Sequence, residues 1–379
     1  MNHVAAMPAR RSAPNYLITA VSTLVQSPVP TKEIQLSEGG PIYFDSPAGY
    51  KPLNPDQAIS GDDILALMQF AAEGRYNPTD RIARNGHYDE SLTCHDRRLR
   101  CNFYKERSRL AASIRTLPTA IPHYDQLKGP EHLLRLVDRS ASGLVLITGP
   151  VGVGKSTTIA ALIEHLNQSR SGHILTLEDP IEYEYAPKMA RISQRSVGEG
   201  CDVPTFTQGL LAAKRQNASV IQIGELRDVE TVRTALQAAE AGALVFASTH
   251  AASAGDTIET LMSYFDANEH EHIRHVLART LRAICSQRLV STADRKNYVL
   301  AYEYLARSPA IVKMIRDNAI SQVRRAVEDQ SGSDGTTSLN HSLKALVDGG
   351  QITQQEAMLK AYNKEGLAEK LGIAEDEYV

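Results

Sequence analysis

A nine-residue segment, GPVGVGKST at 149–157, has the residue types and spacing to hold a phosphate chain. Phosphate is a dense negative charge that needs several donors at close range. Gly149, Gly152 and Gly154 let backbone N–H groups turn inward, Lys155 reaches the outer phosphates, and the Ser156 hydroxyl, followed by Thr157, is placed to ligate Mg²⁺. An apolar run, Leu144-Val145-Leu146-Ile147, precedes the segment and a helix-forming stretch from Thr158 to Asn167 follows it. That context is strand, glycine loop, helix, and the helix start adds the positive end of its dipole. An ordinary Gly-rich turn needs none of this, so the segment reads as a nucleotide-binding loop with ATP and Mg²⁺ as the implied ligands.

Breaking a phosphate anhydride takes a metal to gather charge, a carboxylate to orient water, and cations to offset the charge that develops. Candidates for each stand at the ends of apolar runs. After HILTL come Glu178-Asp179-Pro180-Ile181-Glu182-Tyr183, two adjacent acids before a proline, which suit either a Mg²⁺ or water-positioning role or a helix-capping turn. After SVIQIG comes Glu225 in GELRD, where a carboxylate leaving the sheet is placed to polarise the attacking water, with Asp228 as N-cap of the next helix. Capping alone is the plainer alternative there. His250 follows LVFAST and precedes small residues. A histidine in that place can sense the terminal phosphate through a hydrogen bond, although a lone histidine is more often structural.

The fourth feature is cationic. Arg97, Arg98, Arg100, Lys105, Arg107, Arg109 and Arg115 stand against only Asp96 and Glu106. They form either a solvated or nucleic-acid-binding strand face or a source of arginine fingers, which accelerate phosphoryl transfer by about 10³–10⁵-fold. His270, His272 and His275 in NEHEHIRH look metal-like, yet only the last two share a helical face.

These residues need elements to hold them. Residues 1–15, rich in Ala, Pro and Arg, read as disordered, and a short helix with Leu17, Val21, Leu24 and Val25 on one face follows. Past Pro28 and Pro30, Glu33-Ile34-Gln35-Leu36 reads as a strand that pairs with Pro41-Ile42-Tyr43-Phe44 across Gly39-Gly40. A helix is predicted over DDILALMQFAAE at 62–73, and two further strands between Leu92 and Ile114 complete a small α+β domain. A connector with Pro118, Pro122 and Gly129-Pro130 leads to strands predicted at 143–149, 173–178, 219–224 and 243–249, alternating with helices. That alternation implies a parallel sheet covered on both faces, with ligands at the carboxyl ends of the strands. The last hundred residues read as mostly helical, interrupted by SGSDGTT at 331–337, and the chain closes on an acidic tail, Glu375-Asp376-Glu377-Tyr378-Val379.

Bulk properties narrow the classes. A chain of 379 residues is long enough for two or three domains with real cores. The net charge of -3 argues against a surface built throughout for nucleic acid, and no direct nucleic-acid partner is expected. Cys94, Cys101, Cys201 and Cys285 make no CxxC pair and no zinc spacing, consistent with reduced thiols in the cytoplasm. No apolar run approaches the roughly 20 residues of a membrane-spanning helix. YLITAVSTLV after Arg10-Arg11 imitates a signal-peptide core but has helical amphipathic spacing.

With GPVGVGKST, ILTLEDPIEY, IGELRD and LVFASTHAASA in that order, the chain resembles the type II/IV secretion ATPases, and within them the PilT-type pilus-retraction group. The four segments resemble the family's Walker A, Asp, Walker B and His boxes. KEIQLSEGGPIYF resembles the start of its PAS-like amino-terminal domain, RCNFYKERSRLAASIRTLP its arginine-bearing segment, and AIVKMIRD at 310–317 its retraction-associated carboxy-terminal element.

The resemblance implies an α/β fold: a RecA-like P-loop ATPase core at 131–306 with a parallel sheet, preceded by a smaller α+β PAS-like domain at 31–115 and a linker at 116–130. A tail and short helix at 1–30 and a helical region with acidic tail at 307–379 flank these. It also implies that Lys155 and Ser156 bind phosphate and Mg²⁺, that Glu178 supports metal or water, that Glu225 is the general base, and that His250 links nucleotide state to domain position. Arg107 and Arg115 become the cations that reach the nucleotide, with Arg109 the alternate.

Such proteins form homo-hexamers at the cytoplasmic face of the inner membrane, with nucleotide between the two domains, on a pilus or secretion platform protein and sometimes beside a paralogous ATPase. The expected function is pilus disassembly and twitching motility. The four-cysteine zinc subdomain of pilus-assembly relatives is missing, since only Cys285 follows the His box. Departures at AAKRQNAS (212–219), at Gln222 and in the STHA spelling of the His box leave two alternatives. One is a DotB-like type IVB secretion or conjugation ATPase, and the other a nucleotide-dependent binding module with weak hydrolysis.

Overall fold

Period-two alternation builds the amino-terminal third. In the computed structural model, which describes residues 16–27, 31, 33–46, 49–72, 77–94, 97–117, 120–198, 201–329 and 335–373, the chain divides into two compact units, Met1–Ala120 and Ile121–Val379. Residues 1–15, Pro28, Pro30, Asp96, Pro118, the start of SGSDGTT and the acidic tail, for which the sequence raised expectations, lie outside the described residues.

The first unit begins with α1 (Tyr16–Gln26), β1 (Glu33–Ser37), β2 (Tyr43–Ser46) and β3 (Gly49–Pro52). Helices α2 (Gly61–Ala72) and α3 (Pro78–Asn85) and strands β4 (His87–Cys94), β5 (Arg97–Glu106) and β6 (Arg109–Thr116) follow. The strands form an antiparallel sheet in the order β3-β2-β1-β6-β5-β4. Ile34 and Leu36, Leu99, Cys101 and Phe103, and Ala112 and Ile114 alternate onto one face, where Leu17, Val21, Ile64 and Leu67 of α1 and α2 cover them. The intervening residues leave the other face polar.

The expected β1–β2 pairing is present, with Ile34 opposite Phe44. The two strands expected between Leu92 and Ile114 are β5 and β6; β3 and β4 are additional, and β4 pairs with β5 along its whole length. Its HYDESLTC sequence hides the alternation, because Glu90 takes a core-side position between Tyr88 and Leu92, where the Tyr88 hydroxyl donates to it at 2.6 Å.

The second unit is a seven-stranded sheet. After a short 3₁₀ turn at Tyr124–Leu127 come α4 (Glu131–Arg139), β7 (Gly143–Thr148), α5 (Lys155–Ser169), β8 (Gly172–Glu178) and β9 (Ala190–Ser196). Next are α6 (Phe206–Arg215), β10 (Val220–Ile223), α7 (Val229–Glu240), β11 (Leu244–Thr249), α8 (Ala254–Ser263) and α9 (His270–Thr280). The chain then adds β12 (Leu281–Ser291), β13 (Tyr298–Ala306), α10 (Pro309–Arg316), α11 (Ile320–Asp329), α12 (Leu339–Asp348), α13 (Gln354–Lys360) and α14 (Lys364–Leu371). The order is β13-β12-β7-β11-β10-β8-β9, parallel throughout except for β13 at one edge.

Burial on both faces explains the continuous apolar runs. Val145, Ile147, Leu244 and Phe246 pack beneath α4 and α5, whereas Leu144, Leu146, Ile221 and Ile223 face the layer that holds α6–α11. Gln222, which breaks the run in β10, is buried and accepts a hydrogen bond from the Tyr185 hydroxyl at 3.4 Å, so its polar group is partnered.

The last hundred residues are less helical than expected, because they open on the antiparallel pair β12–β13. Helix α9 passes straight into β12, and LARTLRAICSQRL has no Gly or Pro to mark the change.

Glu303 on β13 is buried, and its Oε1 accepts from the Ala254 amide at 2.6 Å, capping α8. Burial pushes its carboxyl up from 4.5 to about 7, helped by Glu328 and Asp256 and opposed by the Ala254 amide and Arg288. Between those two values the group is protonated in the fold and ionised in the unfolded chain, so rising pH removes stability. By this shift the group costs the fold about 3 kcal/mol between pH 5 and pH 8. Glu303→Gln keeps an acceptor for Ala254 and should reduce the loss of stability over that range, as measured by urea unfolding at the two pH values. An unchanged loss would return Glu303 to an ordinary acid.

Candidate functional site

Parallel strands deliver their carboxyl-terminal loops to one edge of the sheet. Strand β7 is flanked by β11 and β12, with Thr148 opposite both Thr249 and Ser286. The loop that follows it runs from Gly149 to Gly154 into α5, with positive φ at Gly149 (134°), Gly152 (81°) and Gly154 (91°). Gly149 is required twice over, because a Cβ there would lie 2.5 Å from the Gln287 carbonyl oxygen of β12.

Lys155 opens α5, and its ammonium donates to the carbonyls of Gly149 at 2.7 Å and Pro150 at 2.8 Å. Its Nζ also lies 3.3 Å from His250 Nδ1, and His250 Nε2 lies 3.2 Å from Glu225 Oε1. An ammonium only donates, so Nδ1 accepts and the ring proton sits on Nε2, directed at Glu225. Lysine, histidine and glutamate thus form one chain along the strand ends of β7, β11 and β10. Burial is the largest influence on Lys155 and lowers its pKa; Glu225 and Glu182 oppose this, and the charge of Arg288 adds to it.

Local bonding aims Glu225. The Gly224 amide donates to Leu177 O at 2.8 Å, the Leu226 amide donates to Ser248 O at 2.9 Å, and the residue between projects from two fixed points. Asp228 caps α7 as expected, accepting from the Thr231 amide and hydroxyl, each at 2.8 Å. Arg227 belongs to the loop and pairs with Asp179 at 3.0 Å, tying the segments that follow β8 and β10.

The acids after β8 are arranged differently from the reading of the sequence. Glu178 is buried at the end of β8, where Thr176 Oγ1 donates to it at 2.7 Å and Gln194 Nε2 at 3.3 Å. Burial raises its pKa despite those donors. Strand β8 lies three places from β7 in the sheet, so Glu178 is not on a strand neighbouring the phosphate loop. Within the same segment Glu182 is the acid whose charge acts on Lys155. Tyr183 brings the segment back to the loop by donating to Thr157 Oγ1 at 2.8 Å. The segment's return across the sheet, which no spacing rule reveals, puts Glu182 in that place.

Ser156 stands half-buried in the first turn of α5. With Glu225 and Glu182 it offers the hard oxygen donors that suit Mg²⁺, a cation that takes many of its ligands from phosphate and water. Among the described residues no group of three or more His, Cys, Asp or Glu is arranged to hold a metal. His270 is engaged with Phe265 O at 2.9 Å.

The arginine candidates lie in the first unit and are not brought together. Arg107 is exposed in the β5–β6 turn at φ 48°, Arg109 starts β6, and Arg115 is near its far end, about 20 Å along the strand. Arg115 lies directly opposite Arg100 on the polar face, in an open groove of about 400 Å³ shared with His87, Asp89, Asn102 and Ser113. No described helix is long and apolar enough to cross a membrane.

Comparison with known proteins agrees with this geometry. The family described as type II/IV secretion system protein matches residues 115–371. A twitching motility protein of Neisseria gonorrhoeae is 37% identical over 271 residues, 72% of this chain and 71% of the relative. The type IV pilus retraction ATPase PilT of Pseudomonas aeruginosa is 38% identical over 264 residues, 70% of this chain and 75% of the relative. The crystal structure of the pilus retraction motor PilT with bound ADP superposes with a TM-score of 0.81 at 35% identity, covering 93% of this chain and 98% of that one. By the family match and these similarities, the chain belongs to the type II/IV secretion system proteins, in the group that includes the PilT and twitching-motility proteins.

Proposed function

We propose that this protein is an ATPase motor that couples ATP hydrolysis to disassembly of a type IV pilus. The observation that carries the reading is the Lys155–His250–Glu225 chain beside a glycine loop at the carboxyl edge of the sheet. The relatives named for retraction and twitching supply the client.

The backbone amides of Val151, Gly152, Val153 and Gly154 and the Lys155 ammonium hold the phosphates. Phosphate oxygens compete with the Gly149 and Pro150 carbonyls for the same ammonium, and a lysine drawn toward phosphate relaxes its contact with His250 Nδ1. The ring then answers to Glu225 alone, so occupancy is transmitted to the base through one imidazole. Glu225 accepts a proton from the attacking water while Nε2–H holds its carboxylate in place. Mg²⁺ carried with ATP neutralises charge on the phosphate oxygens when bound, with Ser156 as its protein ligand and Glu182, or Glu178 through water, in the surrounding shell.

The arginines of the first unit serve as cations from a second copy, which fits a homo-hexamer. Arg107 and Arg115 are the leading residues for that role. A pilus platform protein at the cytoplasmic face of the inner membrane is the partner that fits such a motor.

Glu225→Gln preserves size and hydrogen bonding but removes the base. ATP affinity should stay within about threefold while turnover falls by at least about 10²-fold, measured by equilibrium binding and phosphate release. Unchanged turnover would take Glu225 out of the role. Gly149→Ala should abolish nucleotide binding in the same assay, since its Cβ meets the β12 backbone. In cells, loss of the gene should leave pili extended and twitching absent, scored by microscopy. Intact retraction with failed substrate transfer would favour a secretion or conjugation client.

A further inference from the structure

Strand β12 carries a cation that none of these roles uses. Its register with β7 places Ser286 opposite Thr148, so Gln287 and Arg288 extend alongside the first residues of the phosphate loop. The Gln287 carbonyl oxygen is the atom that excludes a side chain from Gly149, and Arg288 Nη1 donates to that same oxygen at 3.2 Å. A short path therefore joins the guanidinium to the loop: Arg288 to Gln287 O, Gln287 O to Gly149, and Gly149 O to Lys155.

The group is half-buried, and no carboxylate among the described residues lies within ion-pair distance. Glu303 is the acid that acts on it, and that carboxyl group is already committed to the Ala254 amide. Among the described residues the other partner of Arg288 is the Tyr362 ring, whose centroid is 4.6 Å from the guanidinium carbon. Tyr362 follows α13, and its hydroxyl donates to Ala252 O at 2.5 Å, two residues beyond His250. A planar cation with five donors, stacked on an aromatic face beside a phosphate loop, is equipped to bind an anion.

We propose that Arg288 is a further phosphate-contacting residue of the site, reaching the terminal phosphate of the nucleotide bound by its own chain. The Tyr362 ring competes with that phosphate for the guanidinium. Rotation of Arg288 from ring to phosphate leaves Tyr362 held by Ala252 alone, and so connects the carboxy-terminal helices to the state of the nucleotide. The inference rests on the nucleotide-binding reading of the glycine loop. Lowering of the Arg288 pKa by burial is consistent with a cation short of partners.

The test measures dissociation constants of a non-hydrolysable ATP analogue and of ADP on the full-length protein. Arg288→Gln should weaken the triphosphate about tenfold and leave ADP within twofold. Tyr362→Leu, which removes the competing ring, should leave triphosphate affinity equal or higher. A purely structural Arg288–Tyr362 pair predicts that both variants lose thermal stability alike and that neither separates triphosphate from diphosphate, and this result overturns the proposal. Arg288→Lys keeps the charge without the planar fork and should show a smaller loss of the same sign, which covers the case in which the glutamine variant fails to fold. Lys155→Ala distinguishes the two levels of failure. If it abolishes binding of both nucleotides while Arg288→Gln changes neither, only the Arg288 assignment falls; if it too changes nothing, the nucleotide site itself is wrong.

Discussion

The close approach of β7 and β12 at Gly149 is the constraint on which the rest of the second unit depends. With the Gln287 oxygen 2.5 Å from where a Cβ would stand, the loop must leave the strand as glycine and at positive φ. That departure aims the amides of the loop and starts α5 at Lys155. The strand cannot drift to relieve the contact, since β7 is buried along its full length and bonded on both sides by parallel neighbours. Apolar burial worth about 1.5–3 kcal/mol per large side chain opposes any displacement of the strand. Chemistry at the edge inherits that fixity.

The edge works as a junction because each strand end contributes little but in the right place. Strand β7 supplies the loop, β10 leads to Glu225, β11 to His250 and β12 to Arg288. Charges of both signs meet there under partial burial, where their interactions are stronger than in water and where each unpaired group is costly. The neutral imidazole between Lys155 and Glu225 lets ammonium and carboxylate share one hydrogen-bonded chain without direct contact. A direct ion pair would hold the lysine away from phosphate, whereas an imidazole releases it at the cost of one weak bond.

Much of this was legible in the sequence, and the limits have physical causes. The four strands at 143–149, 173–178, 219–224 and 243–249 were plain because a sheet covered on both faces needs unbroken apolar runs. The order of the strands in space is not a local property, so the place of β8 three strands from β7 could not be read from the adjacency of two acids. Glu182 escaped notice for the same reason, since its place depends on Tyr183 meeting Thr157 across the fold. Strands β12 and β13 were hidden by a helix that becomes a strand without a breaker, and by Gln287 and Arg288, whose polarity belongs to the site and not to the core. Strand β4 was obscured by Glu90, an acid on its core-facing side that interrupts the apolar alternation. The N-cap Asp228 was readable because capping involves only residues three apart.

The pairing of β12 with β7 also bears on how the protein is made. Thr148 and Ser286 are opposite one another but stand about 140 residues apart in the chain, a separation that raises contact order and slows folding. During synthesis at about 5–20 residues per second, β7 emerges roughly 7–28 s before the strand that completes its hydrogen bonding. At least one margin of this strand, buried along its full length in the fold, is exposed for that interval. Nascent chains of this protein therefore pass through a period in which chaperone capture and misassociation compete with completion of the sheet, and nucleotide can favour the native state only after translation has passed β12.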